Sequence, residues 1–151
     1  MVRNLSVNVG KKIKMNKSVV HLLIKAVKKE LLFTVNYLEI NFVDNSYIHE
    51  LNIEYLGHDY TTDIITFNYS GENHNLDGEI FISIDEAKIN ARKYKVKLND
   101  ELLRLVIHGI LHLIGYDDIK SSDKRVMKRQ ENNLVVKYKN LFKKLKVQYD
   151  R

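Results

Sequence analysis

Apolar and polar residues alternate at the start of the chain. Leu5, Val7 and Val9 interleave with Asn4, Ser6 and Asn8, the period of two that marks a half-buried strand. The period then changes. After Asn16 or Lys17, the residues Val19, Val20, Leu23, Ile24, Val27, Leu31 and Leu32 recur at the spacing of an amphipathic helix. Leu38, Ile40 and Phe42 alternate with Glu39 and Asn41 and predict a second strand. Asp44 or Asn45 offers an N-cap for a short helix carrying Ile48, Leu51 and Tyr55, and Gly57 supplies its stop. Residues 63–69 and 79–84 read as strands, and the turn-rich SGENHNLDG between them predicts a hairpin with a loop longer than the tightest kind.

The second half of the chain is helical in pattern. A helix is predicted from Asp85 to about Tyr94. Another, capped by Asn99 or Asp100, carries Leu102, Leu103, Val106, Ile107, Ile110, Leu111 and Ile114, apolar nearly all round and therefore buried, and it ends at Gly115. Met127, Leu134, Tyr138, Leu141 and Leu145 punctuate a basic amphipathic helix over about 121–147. The order βαβ(α)ββααα predicts an α+β fold. It makes residues 1–151 a single compact domain with a small mixed β-sheet of about four strands and helices packed on it. There is no internal repeat, and with proline absent the turns rest on Gly, Asn and Asp.

Size and composition agree with that picture. A chain of 151 residues can build one core but not two. Its 44% hydrophobic content is too high for a disordered segment. The absence of Cys excludes disulfides, thiolate metal sites and a Cys nucleophile, and fits a reducing, cytoplasmic location. No stretch approaches the roughly 20 apolar residues of a membrane span, and the opening residues lack the apolar centre of a secretory signal. The net charge of +6 is unevenly spread. Residues 1–119 carry 14 Lys and Arg against 16 Asp and Glu, whereas residues 120–151 carry 11 against 3. A basic segment of this kind is either a solvated helix face or the electrostatic footprint of a nucleic-acid binder.

The chemistry concentrates at one place. His108 and His112 stand four apart on the buried helix, so one turn sets both imidazoles on one face at a separation that a single metal ion can bridge. Gly115 ends the helix three residues later, and Asp117 and Asp118 follow the bend, where a carboxylate can swing back. Two nitrogens and one oxygen, with one position left open, make the ligand set of a catalytic rather than a structural zinc site. In zinc proteases the residue after the first His is the Glu that serves as base; here it is Gly109, so a peptidase mechanism lacks its base.

The run HGILHLIGYDD, residues 108–118, resembles the signature HGxLHLxGYDH of the YbeY family of metal-dependent endoribonucleases that mature ribosomal RNA. The resemblance extends to LNIEYLGHDYTTDIITF at 51–67, to DGEIFIS at 77–83 and to Met127 and Glu131 in the downstream helix. It implies a metal site at the C-terminal end of the HxxxH helix, holding one zinc per chain through His108, His112 and Asp118, with His108 and His112 catalytic. It also implies cleavage of single-stranded RNA in 16S rRNA 3′-end maturation and ribosome quality control. The implied partners are rRNA and the ribosome or small-subunit proteins, with neither DNA nor membrane among them.

Two positions depart from the family pattern. Asp118 replaces its third His; carboxylate oxygen suits zinc, but the harder site makes the zinc-bound water less acidic and lets Mn or Mg compete better. Asp117 is the fallback ligand and otherwise steadies the turn. Leu56 stands where the family has an Arg implicated in RNA cleavage, so either His58 or a Lys or Arg from elsewhere takes over or activity is weaker. The same Leu supports an alternative: a non-cleaving RNA- or ribosome-binding assembly factor with a structural metal. Thr61, Thr62 and Asp63 match the family's loop before a strand. Glu79 is a candidate contact to a ligand His. His21, His49 and His74 read as structural or exposed.

Overall fold

Four strands form the central sheet of the computed structural model, which describes residues 1–150. They are β1 (Leu5–Val9), β3 (Thr34–Val43), β5 (Asn75–Ser83) and β4 (Ile64–Asn68), side by side in that order. β1 and β5 flank β3 in parallel, with Val7 opposite Ile40 and Ile40 opposite Ile80; β4 joins β5 antiparallel as the expected hairpin. The sheet is thus mixed, and the α+β expectation holds. β2 (Ile13–Lys14) and β6 (Gln148–Tyr149) make a separate two-stranded ribbon, too short to leave a periodic signal in the sequence.

Side-chain alternation gives the sheet two different faces. Leu38, Ile40, Phe42, Ile80 and Ile82 are fully buried on the face covered by α1 (Lys17–Leu31) and α4 (Leu98–Leu113), with α5 (Ser121–Phe142) packed against both helices. On the other face, Val43, Ile65 and Phe81 form a smaller cluster with Ile48 of α2 (Asn45–Leu56). α3 (Ile84–Tyr94) leads directly from β5 into the helical layer. Among the described residues, no helix is long and apolar enough to cross a membrane.

Several boundaries differ from the sequence reading, each for a physical reason. Leu32 is not on the first helix's apolar stripe: it is the left-handed C-cap and 79% exposed. β5 begins at Asn75, inside the turn-rich segment, because its first residues pair with Thr34, Val35 and Tyr37 of β3, which overrides local turn preference; β4 joins only from Gly78 onward. α3 begins at Ile84 rather than Asp85, because Ser83 caps it, its Oγ accepting from Glu86 N. Lys97 is the N-cap of α4, which places Asp100 and Glu101 in the first turn beside the positive end of the helix dipole. The basic helix stops at Phe142, short of 147. A 3₁₀ turn, Lys143–Leu145, buries Leu145 and redirects the chain so that β6 can reach β2.

Glycine sets how closely α4 approaches the sheet. A Cβ on Gly109 would lie 2.8 Å from Ile80 Cδ1 and 3.1 Å from its Cγ2. A Cβ on Gly78, in β5, would stand 2.4 Å from the Phe67 carbonyl oxygen and 3.1 Å from Leu113 on α4. Because the first of these neighbours is backbone in a paired strand, Gly78→Ala must open the hairpin locally. It should destabilise the protein by about 1–3 kcal/mol, the usual cost of overpacking, measured as a lower denaturant midpoint with an unchanged slope.

Candidate metal centre and its cleft

The last turn of α4 presents both imidazoles to one side. His108 and His112 rings lie 4.7 Å apart, centre to centre, at an interplanar angle of 76°. The chain then bends at Gly115, whose φ of +105° suits a residue without a Cβ; one added there would press on the Asn73 side chain at 2.8 Å. The bend returns Asp118 toward the helix. Its Oδ2 is 3.4 Å from His112 Nε2 and 3.8 Å from His108 Nε2.

Three ligand atoms, one from each residue, lie within 4.8 Å of one another, and all three side chains are half-buried. Ligands about 2.0–2.1 Å from a tetrahedral ion stand roughly 3.3 Å apart, so small side-chain adjustments would bring this set onto one metal ion. Asp117 points elsewhere: its Oδ1 accepts from Ile119 N and fixes the turn.

Behind the ligands lies a carboxylate to which the sequence reading gave no role. Glu131, 4% exposed on α5, accepts from His108 Nδ1 at 2.8 Å through Oε2 and from Arg104 Nη1 at 2.8 Å through Oε1. Burial pushes its carboxyl up, but the hydrogen bonds from His108 and Arg104 outweigh that and hold it below the ordinary carboxylate range. With Nδ1 committed to Glu131, the Nε2 lone pair of His108 is directed at Asp118 and the open site. Glu79, the earlier candidate for this contact, instead accepts from Tyr69 OH and lies on the sheet beside Glu39. Only the packing of α5 on α4 distinguishes the two carboxylates.

A cleft of about 530 Å³ opens from His108 and Asp118 along α4. Glu101, Arg104, Leu105 and His108 line it at helical spacing, facing Asp63, Asn90 and Tyr94 on one wall and Lys124 and Lys128 on the other. Asn90 Nδ2 donates to Asp63 Oδ2 at 3.0 Å and to Glu101 Oε2 at 3.2 Å. Burial pushes the Glu101 carboxyl above its ordinary range, and nearby Asp63 and Glu131 add to this against the opposing Asn90 bond and Arg104 charge.

Other candidates lie apart from this centre. His58 is stacked on Tyr60 and bonded to its hydroxyl at 3.0 Å, and Leu56 is half-exposed in a shallow groove with both. Thr61 Oγ1 donates to Asn45, tying its loop to α2. His21 is buried, accepting from Val2 N, and His49 pairs with Asp59 at the surface. The far C-terminal lysines also face away: Lys137 pairs with Glu30 at 2.7 Å and Lys139 with Asp100 at 3.6 Å. The cations that line the cleft are Arg104, Lys124 and Lys128.

Comparison with known proteins shows the family and the fold. The family model described as Endoribonuclease YbeY matches residues 3–139. The endoribonuclease YbeY of Karelsulcia muelleri is 48% identical over 96 residues, 62% of this chain and 67% of that protein. The endoribonuclease YbeY of Chlorobium phaeobacteroides is 42% identical over 114 residues, 76% of this chain and 80% of that protein. The solution structure of TM1509 from Thermotoga maritima has the same fold, with a TM-score of 0.64 at 29% identity over 87% of this chain and 86% of that one.

The raised carboxyl of Glu101 makes a prediction whose sign is fixed. A carboxyl with a folded pKa above its unfolded value favours the fold at low pH and loses that contribution as pH rises from about 4.5 through the folded pKa. Glu101→Gln keeps the oxygen that Asn90 needs and removes the titration. Relative to the parent, the variant should gain stability between pH 4.5 and neutrality, read from urea unfolding at both. A relative loss over that interval would contradict the burial argument.

Proposed function

The chain belongs to the YbeY family of endoribonucleases and by that membership is a nuclease hydrolase; on that footing we propose that it is a zinc-dependent, single-strand-specific endoribonuclease acting in 16S rRNA 3′-end maturation and ribosome quality control. The convergence of His108, His112 and Asp118 on one point is the observation that carries the reading. A zinc ion held there supplies a Lewis acid for the scissile phosphodiester and a water of lowered pKa. The protein's own residues do the rest. Glu131 fixes the tautomer and aim of His108. Arg104 steadies Glu131 and, with Lys124 and Lys128, gives the cleft a positive wall along which an RNA backbone can lie.

Gly109 supports the distinction from zinc proteases: it stands where they carry the Glu that serves as base, and a side chain there would crowd Ile80 on the sheet. Substrate and partners in this reading are single-stranded rRNA and the small ribosomal subunit, in the cytoplasm. A second reading, an RNA-binding assembly factor with a structural metal, draws on Leu56: an apolar residue ends α2 where the family resemblance expects Arg, and His58 beside it is engaged with Tyr60.

Two measurements decide between them. Elemental analysis should find about one zinc per chain. With zinc loaded, cleavage of single-stranded 16S rRNA 3′-end fragments should fall by about a thousandfold in His108→Ala and in His112→Ala, the several kcal/mol that metal activation supplies. RNA bound but uncut at any metal concentration would favour the assembly factor. The cleft cations give the second test. Lys124→Ala with Lys128→Ala should weaken RNA binding and flatten the dependence of log affinity on log salt by about 1.4, as expected for two single-strand phosphate contacts. Lys137→Ala, directed toward Glu30, should leave that slope in place.

A further inference from the structure

Glu101 is 4% exposed, yet it lines the cleft. It accepts one hydrogen bond, from Asn90 Nδ2 to Oε2. Its other oxygen has no protein donor. Since no fully buried side-chain oxygen or nitrogen among the described residues lacks a partner, Oε1 keeps some accessible surface, and the place of Glu101 in the cleft lining opens that surface to the cleft. Asn90 is arranged alike: both of its hydrogen bonds leave from Nδ2, and Oδ1 remains free. Two acceptors are therefore held ready on a rigid floor between α3 and α4.

The surroundings select what they accept. Asp63 and Glu101 repel a phosphate. A cation is disfavoured because the Asn90 amide already occupies the point between the two carboxylates. Ile64, Leu105 and Met127 supply apolar walls, and Tyr94, 61% exposed, offers a ring at the rim. Flat apolar surface, a stacking ring and acceptors at the floor are the parts of a pocket for an unstacked RNA base.

We infer that this end of the cleft is a nucleobase subsite in which Glu101 Oε1 and Asn90 Oδ1 accept the adjacent N1–H and N2–H donors of a guanine, with Tyr94 stacking on its ring. The inference rests on the reading that the chain binds single-stranded RNA, and it adds a base preference that the metal centre alone would not confer. The spacing agrees. Glu101 precedes His108 by two helical turns, about 10 Å along α4, so a guanine seated at Glu101 can belong to a nucleotide next to the phosphate at the metal centre. Of the four bases, guanine alone shows two neighbouring N–H groups on its Watson–Crick edge. Uracil, with one N–H between two carbonyls, would bring an acceptor against Glu101.

The test uses the full chain and four fluorescent hexaribonucleotides: all-uridine, and the same strand with one central G, A or C. Anisotropy is read with zinc and again with chelator, where binding is separated from cutting. The G strand should bind about tenfold tighter than all-uridine, within the range of a bidentate base contact. Glu101→Gln should bring the four strands to within about twofold of one another, because its amide would point a donor at a donor. Tyr94→Ala, a surface change that leaves the fold intact, should weaken all four by a similar factor. Equal affinities in the parent protein, or a G preference that survives Glu101→Gln in a variant shown folded by circular dichroism, would overturn the subsite. If RNA is bound and cut without preference, only the subsite fails; if no strand binds, the RNA reading beneath it fails as well.

Discussion

One buried carboxylate holds the site in register. Glu131 lies between α4 and α5 and takes hydrogen bonds from His108 and Arg104, one on each oxygen. A charge removed from water is tolerated only when its lone pairs are filled and opposite charge is near, and here both conditions are met by residues of the opposing helix. The consequence is geometric. α5 cannot shift along α4 without stripping Glu131 of its donors, and His108 cannot rotate without leaving it. A surface carboxylate could orient the imidazole in the same way, but water would compete for it; burial makes the orientation persistent.

The sheet supplies the other half of that rigidity. Gly109 and Gly78 allow α4 to lie directly on Ile80 and bring Leu113 against β5. Close approach fixes the height of the helix above the sheet, and with it the distance from the histidines to the returning loop. Gly115 then turns the chain tightly enough for Asp118 to face both rings, while Asp117 spends its carboxylate on holding the bend. Two adjacent aspartates thus have different tasks, set by which way the backbone points each of them.

Charge is divided within the cleft rather than spread over the molecule. Arg104, Lys124 and Lys128 stand on the α5 side, Asp63 and Glu101 on the α3 side. An anionic polymer would lie against the first and turn its uncharged bases toward the second. The C-terminal lysines that dominate the net charge are partly spent on ion pairs with Glu30 and Asp100 and lie outside this groove. Net charge therefore does not locate a binding surface, whereas the few cations placed at the cleft would decide where an anionic partner sits.

The chain's own pattern was enough to determine the helices, the four main strands, the hairpin and the pairing of His108 with His112, because each depends on residues within a turn or a strand of one another. The swing of Asp118 was legible for the same reason, being set by a glycine bend three residues past the helix. The role of Glu131, the network of Asp63, Asn90 and Glu101, the Glu79–Tyr69 bond and the β2–β6 ribbon were not. Each joins residues from separate elements, 10 to more than 130 positions apart in the chain. A carboxylate on one amphipathic helix looks like any other until packing shows which ones are buried and what they face. Sequence periodicity reports which side of an element is apolar, but only the tertiary structure brings two such elements together and decides which polar groups on their facing edges must satisfy each other.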